Sequence, residues 1–390
     1  MKLDDIQAAL KDEGLDGWLF FDHHFRDPLA YRVLGFKSEA TPSRRWYYLI
    51  PAHGEPQRLV HRIESGMLDA LPGAKHLYSG WSTQVDGLRQ ILQGCRKVAM
   101  QYSPLCAIPY VSMVDGGTIE LVRSTGVEVA TSANLIQLFE ARWSAAQLES
   151  HLEAGRRVDS VRAAAFHRIG DALRAGETIT EWDINRFIRY GFEKSGLFTD
   201  HGPIVAVNEH MSDQHYEPKE EGSAPIRPGD PVLLDMWAKL DQPDAVYYDI
   251  TWTGFCGSEI PDKYTKIFEI VSAGRDRAIE CVQSAASGNE ILYGYQVDDA
   301  ARTSIAAAGY GEYFIHRTGH SIGEEVHGNG ANMDNLESHD ERRVIPRTCF
   351  SIEPGVYLPE FGIRSEVNMY VDAGSARVTG EIQKNMVRIL

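Results

Sequence analysis

Four acidic residues and a run of histidines carry the chemistry this sequence could perform. The segment DPVLLDMWAKLDQPDAVYYDITWTGF, residues 230–255, holds Asp235 and Asp249 in two stretches, VLLDMWA and VYYDITW, whose alternating β-branched and aromatic residues predict strands. DQPD between them is turn chemistry, so the segment reads as a β-hairpin centred on Gln242. Asp235 and Asp249 are equidistant from that centre and are expected to face each other, where two uncompensated carboxylates repel. Asp241 and Asp244 are ordinary turn acids. The segment SIEPGVYLPEFGIRSEVNMYV, residues 351–371, repeats the arrangement: Glu353 and Glu366 are equidistant from a centre within LPEFG, and Arg364 shares the face of Glu366. Two hairpins that each set acids in register among apolar residues need a common explanation. A pair of divalent cations supplies one, because their charges balance four carboxylates and convert repulsion into coordination.

Between the hairpins lies EYFIHRTGHSIGEEVHG, with His316, His320 and His327 set among glycines just before the second acid pair. His215 stands earlier, in VNEHMSDQHYEP. Oxygen-rich coordination with a single imidazole suits Mn²⁺, and also Zn²⁺, Co²⁺ or Fe²⁺ in a two-metal hydrolase. The same run contains a competing pattern. Gly319-His320-Ser321-Ile322-Gly323 fits GxSxG, with Ser321 as the nucleophile of a serine hydrolase. That elbow should follow a buried strand and open a helix, with an acid and then a histidine later in the chain, yet beyond His327 there is only His339, in a polar loop.

These side chains need elements to position them. Ser144 and Gln147 form a capping box, Trp143 and Leu148 are spaced for a hydrophobic staple, and apolar residues at helical spacing follow to a stop near Gly176. AGR at 154–156 recurs at 273–275, and each copy leads through a helix, a glycine, a second helix and a small turn (SGL at 195, AGY at 309). That order predicts two related halves, each of two helices and a hairpin, with a site at their junction. Residues 1 to about 140 read instead as a separate α/β unit: a helix over 3–13 and strands at 18–21, 46–52 and 96–101. His23 and His24 in this unit read as solvated loop residues.

The chain's 390 residues fit two or three domains, and 43% hydrophobic with 24% charged residues is ordinary globular composition. A net charge of −16 argues against nucleic acid or an anionic membrane as partner. The N-terminus is acidic and lacks a secretory pattern, and no apolar stretch approaches a membrane span, so a cytoplasmic location is expected. The five cysteines are odd in number, widely spaced and without CxxC, as expected of reduced, packed thiols.

HRTGHSIGEEVH, SIEPGVY and GIRSEV together resemble the motifs of the pita-bread metallopeptidase family, within it the proline-specific branch of Xaa-Pro dipeptidases (prolidases) and Xaa-Pro aminopeptidases. The resemblance implies an α+β chain, with a creatinase-type α/β domain over 1–143, loosely matched by PLAYRVLGF at 28–36, and a pseudo-twofold pita-bread domain over 144–390. It implies five metal ligands, Asp235, Asp249, His320, Glu353 and Glu366, with Asp249 and Glu366 bridging two ions. It further implies that Glu353 shuttles a proton, that His316 and His327 stabilise the developing oxyanion, and that His215, Tyr357 and Arg364 handle or orient substrate and ligands. The activity implied is hydrolysis of Xaa-Pro dipeptides, with longer peptides, a non-peptide amide or lyase reaction and a noncatalytic binding module as alternatives. A homodimer and a small peptide with proline second are the implied partners. Arg342 and Arg343 are candidates to receive a dipeptide's free carboxylate. The chain departs from the family pattern in carrying Met236 and Trp237 after the first ligand, in a longer interval between Asp235 and Asp249, and in Glu324 where an apolar residue is usual.

Overall fold

A computed structural model describes residues 3–36 and 42–390. The chain divides into two compact units, Met1–Glu140 and Ala141–Leu390. The first runs α1 (Leu3–Asp12), β1 (Gly17–Asp22), α2 (Pro28–Leu34), β2 (Trp46–Pro51), β3 (Gln57–His61), β4 (Ala74–Tyr78), α3 (Trp81–Ile91), β5 (Lys97–Met100), α4 (Gly116–Arg123), β6 (Glu128–Thr131) and α5 (Ala133–Glu140). Its sheet has the order β4-β3-β2-β1-β5-β6, and only β2 runs against the rest. Every residue of β1 is buried because successive side chains serve opposite faces. Trp18 and Phe20 join a core with residues of α1, α2 and α5, whereas Leu19 and Phe21 join a second core with residues of α3 and α4.

The second unit opens with α6 (Ala145–Ala175), β7 (Ile179–Thr180), α7 (Glu181–Lys194), β8 (Leu197–Phe198), β9 (Ile204–Val207), β10 (Pro225–Ile226), β11 (Pro231–Leu240) and β12 (Tyr248–Phe255). It continues with α8 (Asp262–Gly288), α9 (Gly294–Ala307), β13 (Ser321–Ile322), β14 (Thr348–Ile352), β15 (Gly355–Leu358), β16 (Phe361–Arg364), β17 (Val367–Asp372), β18 (Ser375–Thr379) and β19 (Val387–Arg388). Both reciprocal bonds of the Ser144–Gln147 capping box are made, and α6 ends at Gly176 in the left-handed conformation. Two helices and a hairpin thus occur twice, α6-α7 with β11-β12 and α8-α9 with β14 to β17.

The repeated AGR does different work in each half. A Cβ on Gly155 would lie 2.8 Å from the Tyr248 ring, so the glycine lets α6 approach β12, while one on Gly274 would meet Ile305 of α9 at 3.0 Å. Arg156 is exposed, but Arg275 is buried and donates to Ser365 Oγ at 2.6 Å and to the Gln383 carbonyl at 2.8 Å. The helix pair of the second half is thereby tied to the segment carrying Glu366.

Candidate metal centre

The two ligand hairpins differ in how they hold their acids. Asp235 pairs with Thr251 and Asp249 pairs with Trp237, so the two aspartates lie on one face but diagonally, not opposite each other as the turn centred on Gln242 required. The turn is the reason: β12 begins only at Tyr248, and the loop over 241–247 is longer than the compact turn read from DQPD. The second hairpin keeps the expected centre, with Gly355 opposite Arg364 and Ile352 opposite Val367. Its ladder is nevertheless interrupted at the acids themselves. The Glu353 amide donates to the Thr318 carbonyl at 2.7 Å, and the Glu366 amide donates to the Thr251 carbonyl at 3.2 Å. The His320 segment is tied to β14 in the same way, since its amide donates to Ser351 Oγ at 2.9 Å and the Ser351 amide donates to the His320 carbonyl at 2.9 Å. Backbone amides that face away from the hairpin partner therefore tie the segments carrying these side chains to one another.

Oxygen and nitrogen atoms of Asp249, His320 and Glu366 lie within 4.8 Å of one another, all buried. Glu353 Oε1 is 3.3 Å from His320 Nε2. His320 Nδ1 faces the Ser321 carbonyl at 3.2 Å, which leaves Nε2 for the carboxylates, the orientation a metal-bound imidazole takes. Asp235 lines the same cavity of about 190 Å³ but is paired with Arg364, whose Nε also donates to Thr251 Oγ1 at 3.0 Å. Thr251 Oγ1 in turn donates to Glu366 Oε2 at 2.8 Å.

The electrostatics favour a cation. Burial, then the charge on Glu353, pushes Asp249 well above the usual carboxylate range, and burial followed by the charge on Asp249 does the same to Glu366. Burial raises Asp235 to about 7 despite Arg364. Glu353 is lowered overall, because His320, Arg364 and His316 outweigh its burial. Asp249 Oδ1 and Glu366 Oε1 are buried without a hydrogen-bond partner, which a native protein rarely tolerates. Acceptors left open beside an imidazole nitrogen are the donor set of a divalent metal site.

His316 lines the same cavity. Its Nδ1 donates to the Arg317 carbonyl at 2.7 Å and its Nε2 accepts from Tyr357 Oη at 2.7 Å, so both ring nitrogens are engaged. Burial pushes His316 down to about 4 and Tyr357 up to about 12. The His327 ring stands edge-on 4.4 Å from His320 and lines the cavity, with no hydrogen-bond partner among the described residues. His320 first, and burial second, push it down to about 3. His215 is an exposed lining residue.

Two sequence-level ideas fail against this geometry. Ser321 is buried in β13, its Oγ accepts from the Gly330 amide at 2.9 Å, and no helix follows, so there is no nucleophile elbow. Arg342 is buried against Asp340, with Nε 2.9 Å from Oδ1, and the cations that line the cavity are Arg317 and Arg364. Several supporting residues were not anticipated. Fully buried Asp298 accepts from the Thr318 amide at 2.8 Å and from Arg302, whose guanidinium also donates to the carbonyls of Phe314 and His316 at 2.9 and 2.8 Å. Its i,i+4 pairing with Arg302 on α9 was the available signal. Asn368 brackets Asp249, accepting from its amide at 3.1 Å and donating to its carbonyl at 2.8 Å. Trp237 donates from Nε1 to Asp200 at 3.1 Å and stands edge-on to His201 in the cavity wall.

The model of metallopeptidase family M24 matches residues 149–373. An Xaa-Pro dipeptidase of Lactobacillus delbrueckii subsp. lactis is 31% identical over 221 residues, 56% of this chain and 55% of the relative. A probable dipeptidase PepE of Mycobacterium bovis is 26% identical over 362 residues, 92% of this chain and 88% of the relative. The relatives matched at 31–34% identity are spanned over 40–55% of their length, about half. Among solved structures, dipeptidase PepE from Mycobacterium ulcerans superposes with a TM-score of 0.69 at 22% identity, covering 99% of this chain and 96% of that one. A prolidase from Thermococcus sibiricus gives 0.61 at 22% identity, covering 99% and 98%. These likenesses show the pita-bread fold for the second unit.

Proposed function

The chain belongs to metallopeptidase family M24, and we propose that it hydrolyses Xaa-Pro dipeptides with two divalent metal ions held by Asp235, Asp249, His320, Glu353 and Glu366. The observation that carries this reading is the buried convergence of Asp249, His320 and Glu366, with two carboxylate oxygens left without a hydrogen-bond partner. The substrate follows from the relatives named Xaa-Pro dipeptidase. Mn²⁺ is the first choice of metal because the donors are mostly oxygen. Bound metals would supply an acidified water and polarise the scissile carbonyl. A homodimer and a cytoplasmic location are the assembly and address the family resemblance suggests. No described helix is long and apolar enough to cross a membrane.

The protein's own groups do the rest. Glu353, held by the Ser351 hydroxyl at 3.0 Å, is the proton carrier, moving a proton from the attacking water to the leaving imino nitrogen. His327, with a free ring facing the cavity, donates to the developing oxyanion. His316 lines the cavity with its ring fixed by the Arg317 carbonyl and the Tyr357 hydroxyl, beside the developing oxyanion. Arg364 holds Asp235 directly and Glu366 through Thr251, fixing two ligands at once. His215, exposed in the cavity wall, faces the substrate, and Tyr357 serves it by holding His316.

Metal analysis and a dipeptide panel test the reading. Purified protein should contain a divalent metal, cleave Ala-Pro in preference to Ala-Pro-Ala and Ala-Leu, and lose activity to a chelator. Asp249→Ala should lose metal and activity together, and a fully active, metal-replete Asp249→Ala protein would refute the assignment. Cleavage of Ala-Pro-Ala but not Ala-Pro would make the enzyme an aminopeptidase.

A further inference from the structure

The first unit carries a second cavity, of about 550 Å³, within the range of small-molecule sites. Five of the six strands of its sheet run the same way, and the cavity lies at their carboxyl edge. His23 follows β1, His61 ends β3, Tyr78 ends β4, and Arg44 and Arg45 precede β2, whose reversed direction brings its start to the same edge. Open α/β sheets bind ligands at this edge, where the following helices present their amino ends. Here α3 starts at Gly80, which has no side chain to cap it, and its first residues line the cavity.

The charge at this edge opposes that of the whole chain, which is −16. Arg26, Arg44 and Arg45 all line the cavity, against a single lining acid, Asp115, whose carboxylate accepts from the Thr118 amide and hydroxyl at 2.9 and 2.8 Å. Among the described residues the guanidiniums of Arg26 and Arg45 have no hydrogen-bond or ion-pair partner, and that of Arg44 reaches only Ser43. Gln84 is 2% exposed and lines the cavity. Its Nε2 donates to Tyr47 Oη at 2.6 Å, which fixes the side chain in the cavity wall. The Trp81 ring, 79% exposed, stands at the same edge. Three arginines gathered at a sheet's ligand edge in an otherwise acidic chain are a recognition feature for an anion with several oxygen acceptors.

We propose that this edge of the first unit binds a small molecule through a carboxylate or phosphate group, held by Arg26, Arg44 and Arg45 and flanked by Trp81. The site lies wholly within the first unit and does not depend on the peptidase reading.

Isothermal titration of the full, metal-loaded protein with inorganic phosphate and, separately, with succinate tests it, at constant ionic strength set by sodium chloride. Saturable binding of one ligand per chain is expected for at least one probe, and the stronger of the two identifies the group recognised. Arg26→Gln/Arg45→Gln should weaken that binding at least about tenfold, as loss of charge-assisted hydrogen bonds does. Arg44→Gln alone should weaken it less, and Asp249→Asn should leave it unchanged. Circular dichroism verifies the fold of each variant. In Trp81→Phe the ligand-induced change in tryptophan emission should disappear. Absence of saturable binding for both probes overturns the proposal, as does binding that survives Arg26→Gln/Arg45→Gln or is lost with Asp249→Asn.

Discussion

Removing the metal should reverse the pH dependence of the second unit's stability. In the metal-free protein burial raises Asp235 from an ordinary 3.8 to about 7, and Asp249 and Glu366 shift in the same direction. Between those limits the folded protein holds more protons than the unfolded chain, so stability is greatest at acid pH and is lost as pH rises through the folded-state value. At roughly 1.36 kcal/mol per unit, the Asp235 shift alone corresponds to about 4 kcal/mol lost between about pH 4 and pH 7. The metal-loaded protein should behave oppositely, because acid protonates the ligands and releases the ions. Urea unfolding at about pH 5 and about pH 8, with and without a chelator, reads both slopes. The metal-free midpoint should be higher at the lower pH and the metal-loaded midpoint higher at the upper one. Other surface carboxylates also respond to pH, so the metal-free Asp249→Asn/Glu366→Gln protein provides the reference and should show a distinctly flatter slope. A metal-free wild type whose stability is flat or rises between the two pH values, or whose slope matches that variant, would refute the reasoning.

Ser351→Ala removes the hydroxyl that joins the His320 amide to Glu353, and should lower metal affinity or kcat by about 10- to 100-fold with the fold intact, as metal titration and steady-state kinetics would read. Tyr357→Phe deprives His316 Nε2 of its donor, and should reduce kcat about tenfold while metal content by mass spectrometry stays unchanged. Gly319→Ala would place a Cβ 1.9 Å from the Ser351 carbonyl oxygen, so the His320 segment must separate from β14. A loss of about 3 kcal/mol or more in urea unfolding is expected, with metal binding falling alongside it.

Much of the site was legible because its chemistry is local in sequence. Each hairpin needed only parity to put its two acids on one face, and parity survived even where the register did not. Asp235 and Asp249 moved from opposite to diagonal through the length of one loop, which a turn centre cannot specify when the loop over 241–247 exceeds a compact turn. The α6 start was readable for the same reason, since a capping box lies within one turn of chain. Asp298, Asn368 and Thr251 were not readable. Each is an ordinary polar residue in its own segment, and its role arises from contacts made across 20, 119 and 115 positions of chain. Arg342 shows the opposite error: a basic residue beside the motif looked available, but the adjacent Asp340 had already claimed it.

The outward-facing amides of the second hairpin explain why the acids stand where they do. Glu353 shares the parity of Ser351, so both amides point away from β17 and toward the His320 segment, and Glu353 and Glu366 are a pair that exchanges no backbone bonds. The two outward-facing amides donate to Thr318 and Thr251, which ties β14 to the His320 segment and the Glu366 segment to the strand bearing Asp249. Any movement of one of these side chains then strains a backbone bond to the segment of another, so the backbone joins Arg364 in holding the carboxylates together against their mutual repulsion. Arg364 pairs directly with Asp235, stands 3.9 Å from Glu353 Oε2 and reaches Glu366 through the Thr251 hydroxyl. Charge that the scaffold forces together and does not itself neutralise is charge kept available for a metal.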